Sequence, residues 1–166
     1  YYDVTKGSVK VDGVDVRDMT QKELRDKLGY VPQKGVLFSG TIDSNIRYGK
    51  PEITDAQVKE AAEVAQATEF IDTKPEKYES PVSQGGTNVS GGQKQRLSIA
   101  RAIAKNPEIF IFDDSFSALD FKTDSQLRKA LKEYTKDATT VIVAQRISTI
   151  LGADQIIVLD LSLIHI

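Results

Sequence analysis

The sequence predicts an α/β fold built on a largely parallel sheet, and three observations indicate this fold class. Short apolar runs with strand character alternate along the chain with amphipathic helical segments, which is the pattern of strand–helix–strand units. Residues 108–113 are apolar on both faces, as expected for a central parallel strand that is covered on both sides. The 166 residues, 40% of them hydrophobic and 28% charged, suffice for one globular domain at most.

The N-terminal elements follow from turn and capping residues. Residues 8–16 alternate apolar and polar positions around an Asp-Gly pair, which predicts two short strands joined by a tight turn. Thr20, with Glu23 three residues later, forms a capping box for a helix that Gly29 is expected to end. A short strand is predicted over residues 30–32.

The middle of the chain is predicted to be helical. Thr54 and Gln57 form a second capping box. The helix that follows should bury one face, formed by Val58, Ala61, Ala62 and Ala65. Residues 74–88 contain Pro and Gly residues without an apolar period, which predicts a loop, and a helix is expected from about residue 90 to 104. We expect a helical subdomain over about residues 53–104.

The C-terminal third continues the alternation. Beyond the central strand, the sequence predicts a helix over 122–134, a strand over 139–144, a helical turn over 148–152 and a last strand over 155–159. The sequence therefore predicts a mainly parallel sheet combined with a helical subdomain.

Composition and charge exclude several kinds of site. The absence of Cys excludes disulfides, thiolate metal sites and Cys nucleophiles, and fits a reducing, cytosolic compartment. A formal charge of −2 with scattered Lys and Arg gives no electrostatic reason to bind nucleic acid. The longest wholly apolar runs have four residues, against the ~18 that indicate a membrane span. Any link to a membrane is therefore expected to go through a partner.

The strongest chemical signal is the segment Ser90-Gly91-Gly92-Gln93 at the start of a predicted helix. Two glycines there leave backbone N–H groups bare, and the helix dipole adds roughly half a positive charge, so a phosphate could approach closely. The Ser90 hydroxyl adds a donor. The alternative is a Gly-rich turn that merely starts a helix.

A second signal is the pair Asp113 and Asp114 at the end of the apolar strand. The carboxyl edge of a parallel sheet is where α/β proteins bind ligands. Asp113 is expected to hold Mg²⁺ directly or through water, and Asp114 to face an attacking water. The alternative is a pair of acids that starts a solvated loop. The segment Ser-Ala-Leu-Asp follows at residues 117–120.

These segments, in this order, resemble the nucleotide-binding domain of ABC-type ATPases. The resemblance also includes Gln33 in a Tyr-Val-Pro-Gln segment upstream and Gln145-Arg146 after a strand downstream, and it covers nearly the whole chain. It implies ATP and Mg²⁺ as cofactors. It also implies a second ABC ATPase domain as a head-to-tail partner, and transmembrane domains that hold the chain at the cytoplasmic face of a membrane.

The resemblance assigns roles to individual residues. Gln33 belongs to the Q-loop, which touches Mg²⁺ and the transport subunit. Residues 90–93 look like the signature motif, which reaches the γ-phosphate of ATP held by the opposing domain. Asp113 matches the Walker B aspartate and Asp120 the D-loop aspartate, which couples the two sites. Residues 38–46 and 81–86 are similar to the stretches of exporters that contact transmembrane helices.

Both ends of the chain depart from the family pattern. The phosphate-cradling GxxxxGK[ST] loop is absent, and since it lies upstream in the family, we expect residues 1–160 to be a truncated domain. Tyr1 and Tyr2 are expected to pack rather than to stack on adenine. Residues 161–166 lack the Gly-containing hairpin that follows the last strand in the family, which suggests an assembly or frameshift scar. His165, the only His, is therefore a poor candidate for a ligand or catalyst.

Two departures lie in the predicted catalytic set. Asp114 stands where the family usually has Glu, and Gln145 replaces the switch His. Asp is one methylene shorter, which retracts the carboxylate by about 1 Å, and an amide cannot carry the charge or proton of an imidazole. The pair resembles the degenerate half of a heterodimeric ABC exporter, in which one ATP site is kept for binding. Independent drift is the alternative.

Two other functions are compatible with part of this set of motifs. A soluble chromosome-associated ATPase of the SMC type shares the signature and Walker B motifs. In that group a very long coiled coil separates the Q-loop from the signature motif. Here Gln33 and Ser90 are 57 residues apart without a heptad seam, which disfavours this class. A non-catalytic regulatory remnant of an ABC domain is the third possibility.

Overall fold

The computed structural model describes residues 3–158 as a set of short strands and helices in α/β order. The hairpin at the start, the capped helices and the alternation of the C-terminal third as far as α7 are confirmed. The elements, in chain order, are β1 Lys10–Val11, β2 Val14–Asp15, α1 Gln21–Lys27, β3 Leu28–Val31, β4 Gly40–Thr41, α2 Ile42–Ile46, α3 Asp55–Val64, α4 Thr68–Asp72, β5 Pro81–Val82, α5 Gly91–Ala104, β6 Ile109–Asp113, α6 Phe121–Tyr134, β7 Thr139–Val143 and α7 Ile147–Ile150.

The main sheet has the order β3-β6-β7 with both pairings parallel, which confirms the predicted fold class. Its register places Val31 opposite Phe112, and Phe112 opposite Ile142. Phe110 and Phe112 are buried on one face of β6, and their rings lie 5.9 Å apart. The other face is only partly covered within residues 3–158, because Ile109 and Ile111 are half-buried. The prediction that β6 is covered on both sides is therefore wrong for the described residues.

Capping boxes start the helices where the sequence predicts them. The Thr20, Thr54 and Ser90 hydroxyls each accept the N–H of the residue three positions later, and the side chain of that residue accepts the N–H of the cap. The predicted face of α3, which includes Val58 and Ala62, is buried. A further box at Thr41, which sequence analysis did not single out, starts α2.

The hydrophobic core lies where α5 packs against α2, α3 and the sheet. The α5 helix buries Leu97, Ile99 and Ile103 completely. Because α5 begins directly after its cap Ser90 and packs against several elements of the core, the core fixes the direction of its N-terminus. In the part of the chain that the structure describes, no helix combines the length and apolar character needed to cross a membrane.

Three local predictions are corrected. Helix α1 ends at Lys27, and Gly29 lies inside β3, where a Cβ would come within 2.6 Å of the Pro107 ring. Residues 74–88 are not entirely loop, since β5 pairs antiparallel with β4. Residues 155–158 form no strand because they have no hydrogen-bonded neighbour there, and the remainder of that predicted strand lies outside the described residues. Predictions about residues 1, 2 and 161–166 also lie outside them.

Candidate functional site at the carboxyl edge of the sheet

Asp113 and Asp114 lie at the carboxyl end of β6, as predicted. Asp113 is the last residue of the strand, and Asp114 follows it in a left-handed conformation with φ +44°. The Asp114 N–H donates to the Val143 carbonyl at 2.8 Å. This bond extends the sheet by one residue and fixes the direction of the Asp114 side chain, which is half-buried.

The two glutamines predicted to be catalytic both contact Asp114. Gln33 Nε2 donates to Asp114 Oδ2 at 3.2 Å, and Gln145 Nε2 donates to the same oxygen at 3.4 Å. The loops after β3 and β7 flank β6, so the parallel sheet brings positions 33, 114 and 145 together from three separate parts of the chain. An ionised carboxylate accepts such amide donors. The predicted set therefore converges on one oxygen.

Tyr30 is a contact that sequence analysis missed. Its hydroxyl donates to Asp113 Oδ2 at 3.1 Å. Tyr30 stands opposite Ile111 in the β3–β6 register, one pleat away from Asp113 on the same face. The position of Tyr30 in the sequence could have revealed this contact. A phenol near the end of a strand, three residues before Gln33, is within reach of a carboxylate at the same sheet edge.

The predicted signature residues form the start of α5. The Gln93 N–H donates to Ser90 Oγ and the Ser90 N–H donates to Gln93 Oε1, both at 3.2 Å. Gly91 is exposed, and a Cβ there would have no heavy atom within 4 Å, whereas one on Gly92 would lie 3.4 Å from the Ala118 carbonyl. Within residues 3–158, no hydrogen bond joins this motif to Asp114 or its glutamines.

Gln95 links the signature helix to the loop that carries Gln33. It is buried, its Nε2 donates to the Pro32 carbonyl at 3.1 Å, and its Oε1 accepts the Gly35 N–H at 2.9 Å. The loop around Gln33 is thus fixed on both sides by one side chain of α5. Sequence analysis missed Gln95 because a single polar residue in a helix gives no sign of burial.

Asp120 caps α6. Its Oδ1 accepts the Thr123 N–H at 2.9 Å, and its Oδ2 accepts the Thr123 hydroxyl at 2.7 Å. The backbone bond from Thr123, followed by that from its hydroxyl, holds the pKa of the Asp120 carboxyl below its usual value. The predicted role of Asp120 at the nucleotide remains a prediction, and the described structure gives it a capping role.

The two stretches predicted to contact transmembrane helices, residues 38–46 and 81–86, form one surface. Together with the flanking residues of the first stretch, we call it the aromatic surface (residues 36–48 and 81–86). Strand pairing β4–β5 joins them, and the Gly85 N–H donates to the Leu37 carbonyl at 3.0 Å. Phe38 and Tyr48 stack with ring centroids 4.1 Å apart, and Tyr48 is 55% exposed.

Arg101 of α5 is hydrogen-bonded to the backbone of the aromatic surface. It donates to the carbonyls of Val36 and Asn45 at 2.9 and 2.8 Å, and its guanidinium lies 5.3 Å from the Phe38 ring centroid. Burial lowers the pKa of Arg101. The side chain stays cationic because the ordinary pKa of an arginine lies far above neutral pH. Tyr48 and Arg101 were not singled out from the sequence.

The donor set at the carboxyl edge fits Mg²⁺ only together with phosphate. Among residues 3–158, no three carboxylate, His or Cys groups gather closely enough to hold a metal. Asp113, Asp114 and the Gln33 amide are oxygen donors of the kind that Mg²⁺ takes, and Mg²⁺ in proteins usually completes its octahedron with water and substrate phosphates. Residues Asp113 and Gln33 could therefore hold Mg²⁺ that a nucleotide shares.

Comparisons with known proteins show which family the chain resembles. A family model described as ABC transporter matches residues 1–117. An uncharacterized ABC transporter ATP-binding protein of Mycobacterium tuberculosis is 48% identical over 162 residues. A Staphylococcus aureus protein, provisionally named a multidrug export ATP-binding/permease protein, is 46% identical over 160 residues.

The structure is also similar to a solved transporter. The match is to a bacterial Atm1-family ABC exporter with ATP bound, with a TM-score of 0.92 and 42% identity. Each of these three comparisons covers 96% of the present chain and 28% of the other protein. The chain therefore spans little more than a quarter of the relatives that it matches.

Proposed function

The chain belongs to the ABC transporter family, and on that premise we propose that it is the ATP-binding domain of an exporter in which ATP binding and hydrolysis drive transport. The names of the Staphylococcus relative and of the solved exporter support export. The observation that carries the proposal is the convergence of Gln33 and Gln145 on Asp114 beside Asp113. The chromosome-associated alternative has no support among these relatives.

Within that function, the site formed by Asp114 and Gln145 binds ATP and hydrolyses it slowly. Bound ATP and Mg²⁺ would supply the scissile phosphoanhydride and the charge that polarises it. Asp114 would orient water with a carboxylate that is about 1 Å short of the position a Glu reaches, and misplacement of that size can cost ~100-fold in rate. Gln145 can donate a hydrogen bond but cannot bring the positive charge of an imidazolium.

The signature motif serves a second ATPase domain in a head-to-tail dimer. Two features support this: Gly91 is exposed with open space around it, and the motif has no hydrogen bond to the Asp114 site within residues 3–158. A slow site combined with a complete Ser90–Gln93 motif favours an asymmetric heterodimer. The partner would then carry the Glu and His that this chain lacks.

The aromatic surface is the docking site of the transmembrane domains. Tyr48 offers an exposed ring, and Arg101 holds the segment on the same helix that begins with the signature motif. This arrangement would place the chain at the cytoplasmic face of the membrane.

The alternative of a non-catalytic regulatory role predicts that the complete dimer hydrolyses no ATP.

The substitution Gly91→Asp in the full-length heterodimer tests the proposal. It puts a carboxylate where the phosphate of the partner's ATP would dock, without a clash in this chain, because a Cβ there meets nothing within 4 Å. Acidic residues at a helix N-terminus are favourable for the helix itself. We therefore expect normal folding and a fall of steady-state ATPase activity by at least about 100-fold through charge repulsion and steric exclusion.

Gly91→Asn is the matched control, since it has the same shape without the charge. We expect it to retain more activity than Gly91→Asp, and both variants to be purified as dimers in equal yield. Equal ATPase rates for Gly91→Asp and the parent would show that this motif serves no working site. The heterodimer proposal would then be abandoned.

A further inference from the structure

Asp124 is a buried carboxylate that the proposed chemistry does not use. It lies in the first turn of α6 and is 4% exposed. Its Oδ2 is 3.0 Å from Arg128 Nη2, one helical turn later. Its Oδ1 is buried without a hydrogen-bond partner among residues 3–158. A buried carboxylate oxygen in this situation is costly, which calls for an explanation.

Arg128 joins this carboxylate to the segment after β7. While Nη2 contacts Asp124, Nη1 donates to the Ser148 carbonyl at 2.7 Å. Ser148 follows Gln145 by three residues. The planar guanidinium can hold two acceptors in a fixed geometry, which a lysine cannot. Arg128 therefore fixes the backbone of α7 relative to α6 at a point very close to Gln145.

A small cavity of about 10 Å³ lies between these elements. Both Asp124 and Asp114 line it, and so do Arg146 and Thr149. Arg146 directly follows Gln145, is exposed, and has no ion pair in the described part of the chain. A cationic residue and the residue with the unpartnered carboxylate oxygen thus line the same cavity.

We propose that Asp124 and Arg128 are positioning residues, which anchor the turn 145–149 to α6 and thereby set the distance from Gln145 to Asp114. The Arg128–Ser148 bond is the first contact of this anchor. As the second contact, the proposal assigns the Arg146 guanidinium to Asp124 Oδ1, an oxygen that has no hydrogen-bond partner within residues 3–158. The inference rests on the proposed function, because the contact that it controls is the one at the candidate ATP site.

The geometry of the site explains why such an anchor would matter. The Gln145–Asp114 contact is already long at 3.4 Å. A shift of the turn by about 1 Å would break it, since hydrogen bonds are lost beyond roughly 3.5 Å. Gln145 itself is exposed and lies in a segment without helix or strand structure. Its position therefore depends on the anchored residues that follow it.

The first test measures the anchor without any need for catalysis. Spin labels at Ser125→Cys on α6 and Leu151→Cys after α7, both exposed positions, report the distance across the anchor in the full-length protein. These 166 residues contain no competing cysteine, and any cysteine elsewhere in the protein is replaced. We expect Arg128→Met to widen the distance distribution about twofold, and Arg146→Met to widen it less.

Lys129→Met is the matched control, because it removes the same charge from an exposed position one residue away. It should leave the distribution unchanged. Arg128→Lys keeps the charge but not the two-acceptor geometry, and should give an intermediate width. If Arg128→Met does not fold, Asp124→Asn and Arg128→Lys provide the same comparison.

The second test measures turnover at this site. In a heterodimer whose other site is inactivated, the Asp114→Glu, Gln145→His background should hydrolyse ATP, and Arg128→Met in that background should lower kcat about tenfold with KM for ATP changed less than twofold. A purely structural defect would lower the amount of folded protein without this split between kcat and KM.

The outcomes separate the inference from the function on which it rests. Wider distances together with a lower kcat support the anchor as a positioning device. Unchanged distances in Arg128→Met, or wider distances with unchanged kcat, overturn it. If the Asp114→Glu, Gln145→His background hydrolyses nothing, the proposal of a degenerate site fails, while the distance distributions still decide whether the anchor holds the turn.

Discussion

The Asp114 carboxylate accepts two amide N–H groups and forms no ion pair within residues 3–158. Neutral donors stabilise a carboxylate more weakly than charged ones. Neither amide can accept and return a proton during hydrolysis, as an imidazole in place of Gln145 could. At the scale of single residues, the slow turnover proposed here therefore depends on two side chains.

We expect Asp114→Glu together with Gln145→His to raise single-turnover hydrolysis at this site by about 100-fold in the full-length protein, since each group contributes roughly 10²–10⁴. The single substitutions should gain much less, because residues that act as a unit are non-additive. Quenched single-turnover assays with excess protein measure this. An unchanged rate in the double variant would show that these two residues do not explain the slow site.

The left-handed backbone at position 114 adds a side effect that can be checked. Asp is tolerated at φ +44° better than most residues, since its short polar side chain can bond locally. We therefore expect Asp114→Glu to lower the melting temperature slightly while it raises the rate.

The Asp120 cap makes the stability of α6 depend on pH. Hydrogen bonds from Thr123 lower the pKa of Asp120 in the folded protein, so the cap stabilises fully above the unfolded-state pKa of about 3.9 and is lost as pH falls through the folded-state pKa. Asp120→Asn caps without titrating. Thermal denaturation of both forms between pH 7 and pH 2.5 should show a smaller acid-induced loss for Asp120→Asn. Parallel losses would contradict this assignment.

At the scale of elements, α5 determines the geometry of two regions at once. Its first turn presents Gly91, and its next turn fixes the Gln33 loop through Gln95. Gln95 is buried and both of its bonds are partly buried, so a variant that lacks them leaves the Gly35 N–H and the Pro32 carbonyl unpaired.

Gln95→Leu should therefore destabilise the Gln33 loop by about 1–3 kcal/mol. Hydrogen exchange of a peptide that covers residues 28–38 in the full-length protein measures the effect, with Gln126→Leu on the exposed side of α6 as the control. Equal exchange in the two variants would mean that the loop is held by other contacts.

The elements show which parts of the fold the sequence determines locally. Helix starts were predicted at Thr20, Thr54 and Ser90 because a capping box involves only four consecutive residues. The β4–β5 ladder was not predicted, since it pairs two residues with two others that lie 40 and 42 positions away. The strand predicted at 155–159 fails over 155–158 for a related reason, since strand propensity is expressed only beside a neighbouring strand.

The candidate site shows the same division. Asp113, Asp114, Gln33 and Gln145 were identified because each lies in a short recognisable segment, and the parallel sheet then brings three of them into contact. Tyr30 and Gln95 were missed because their roles come from burial and from contacts across the sheet edge and the core. No local pattern encodes such contacts.

At the scale of the whole molecule, the chain holds only part of what ATP binding needs. It covers 28% of its relatives, and its 166 residues contain no GxxxxGK[ST] segment. Mg²⁺ at Asp113 needs phosphate oxygens to complete its coordination. The isolated chain should therefore bind ATP weakly and show no meaningful ATPase activity.

Titration calorimetry of the purified chain with Mg²⁺ and ATP tests this expectation. We expect no saturable binding below about millimolar ATP, since the backbone cradle for the phosphates is what usually supplies the affinity. The full-length protein measured under the same conditions is the control. Micromolar binding by the isolated chain would contradict the expectation.

Helix α5 has a mechanical consequence that follows from its length alone. Gly91 and Arg101 are ten residues apart, which corresponds to about 15 Å along a rigid helix, and Arg101 is bonded to the segment that carries Tyr48. A tilt of about 5° about either end would displace the other by roughly 1 Å. If phosphate binds at Gly91 and a partner contacts the Tyr48 ring, as proposed above, a tilt of α5 would transmit a displacement from either place to the other.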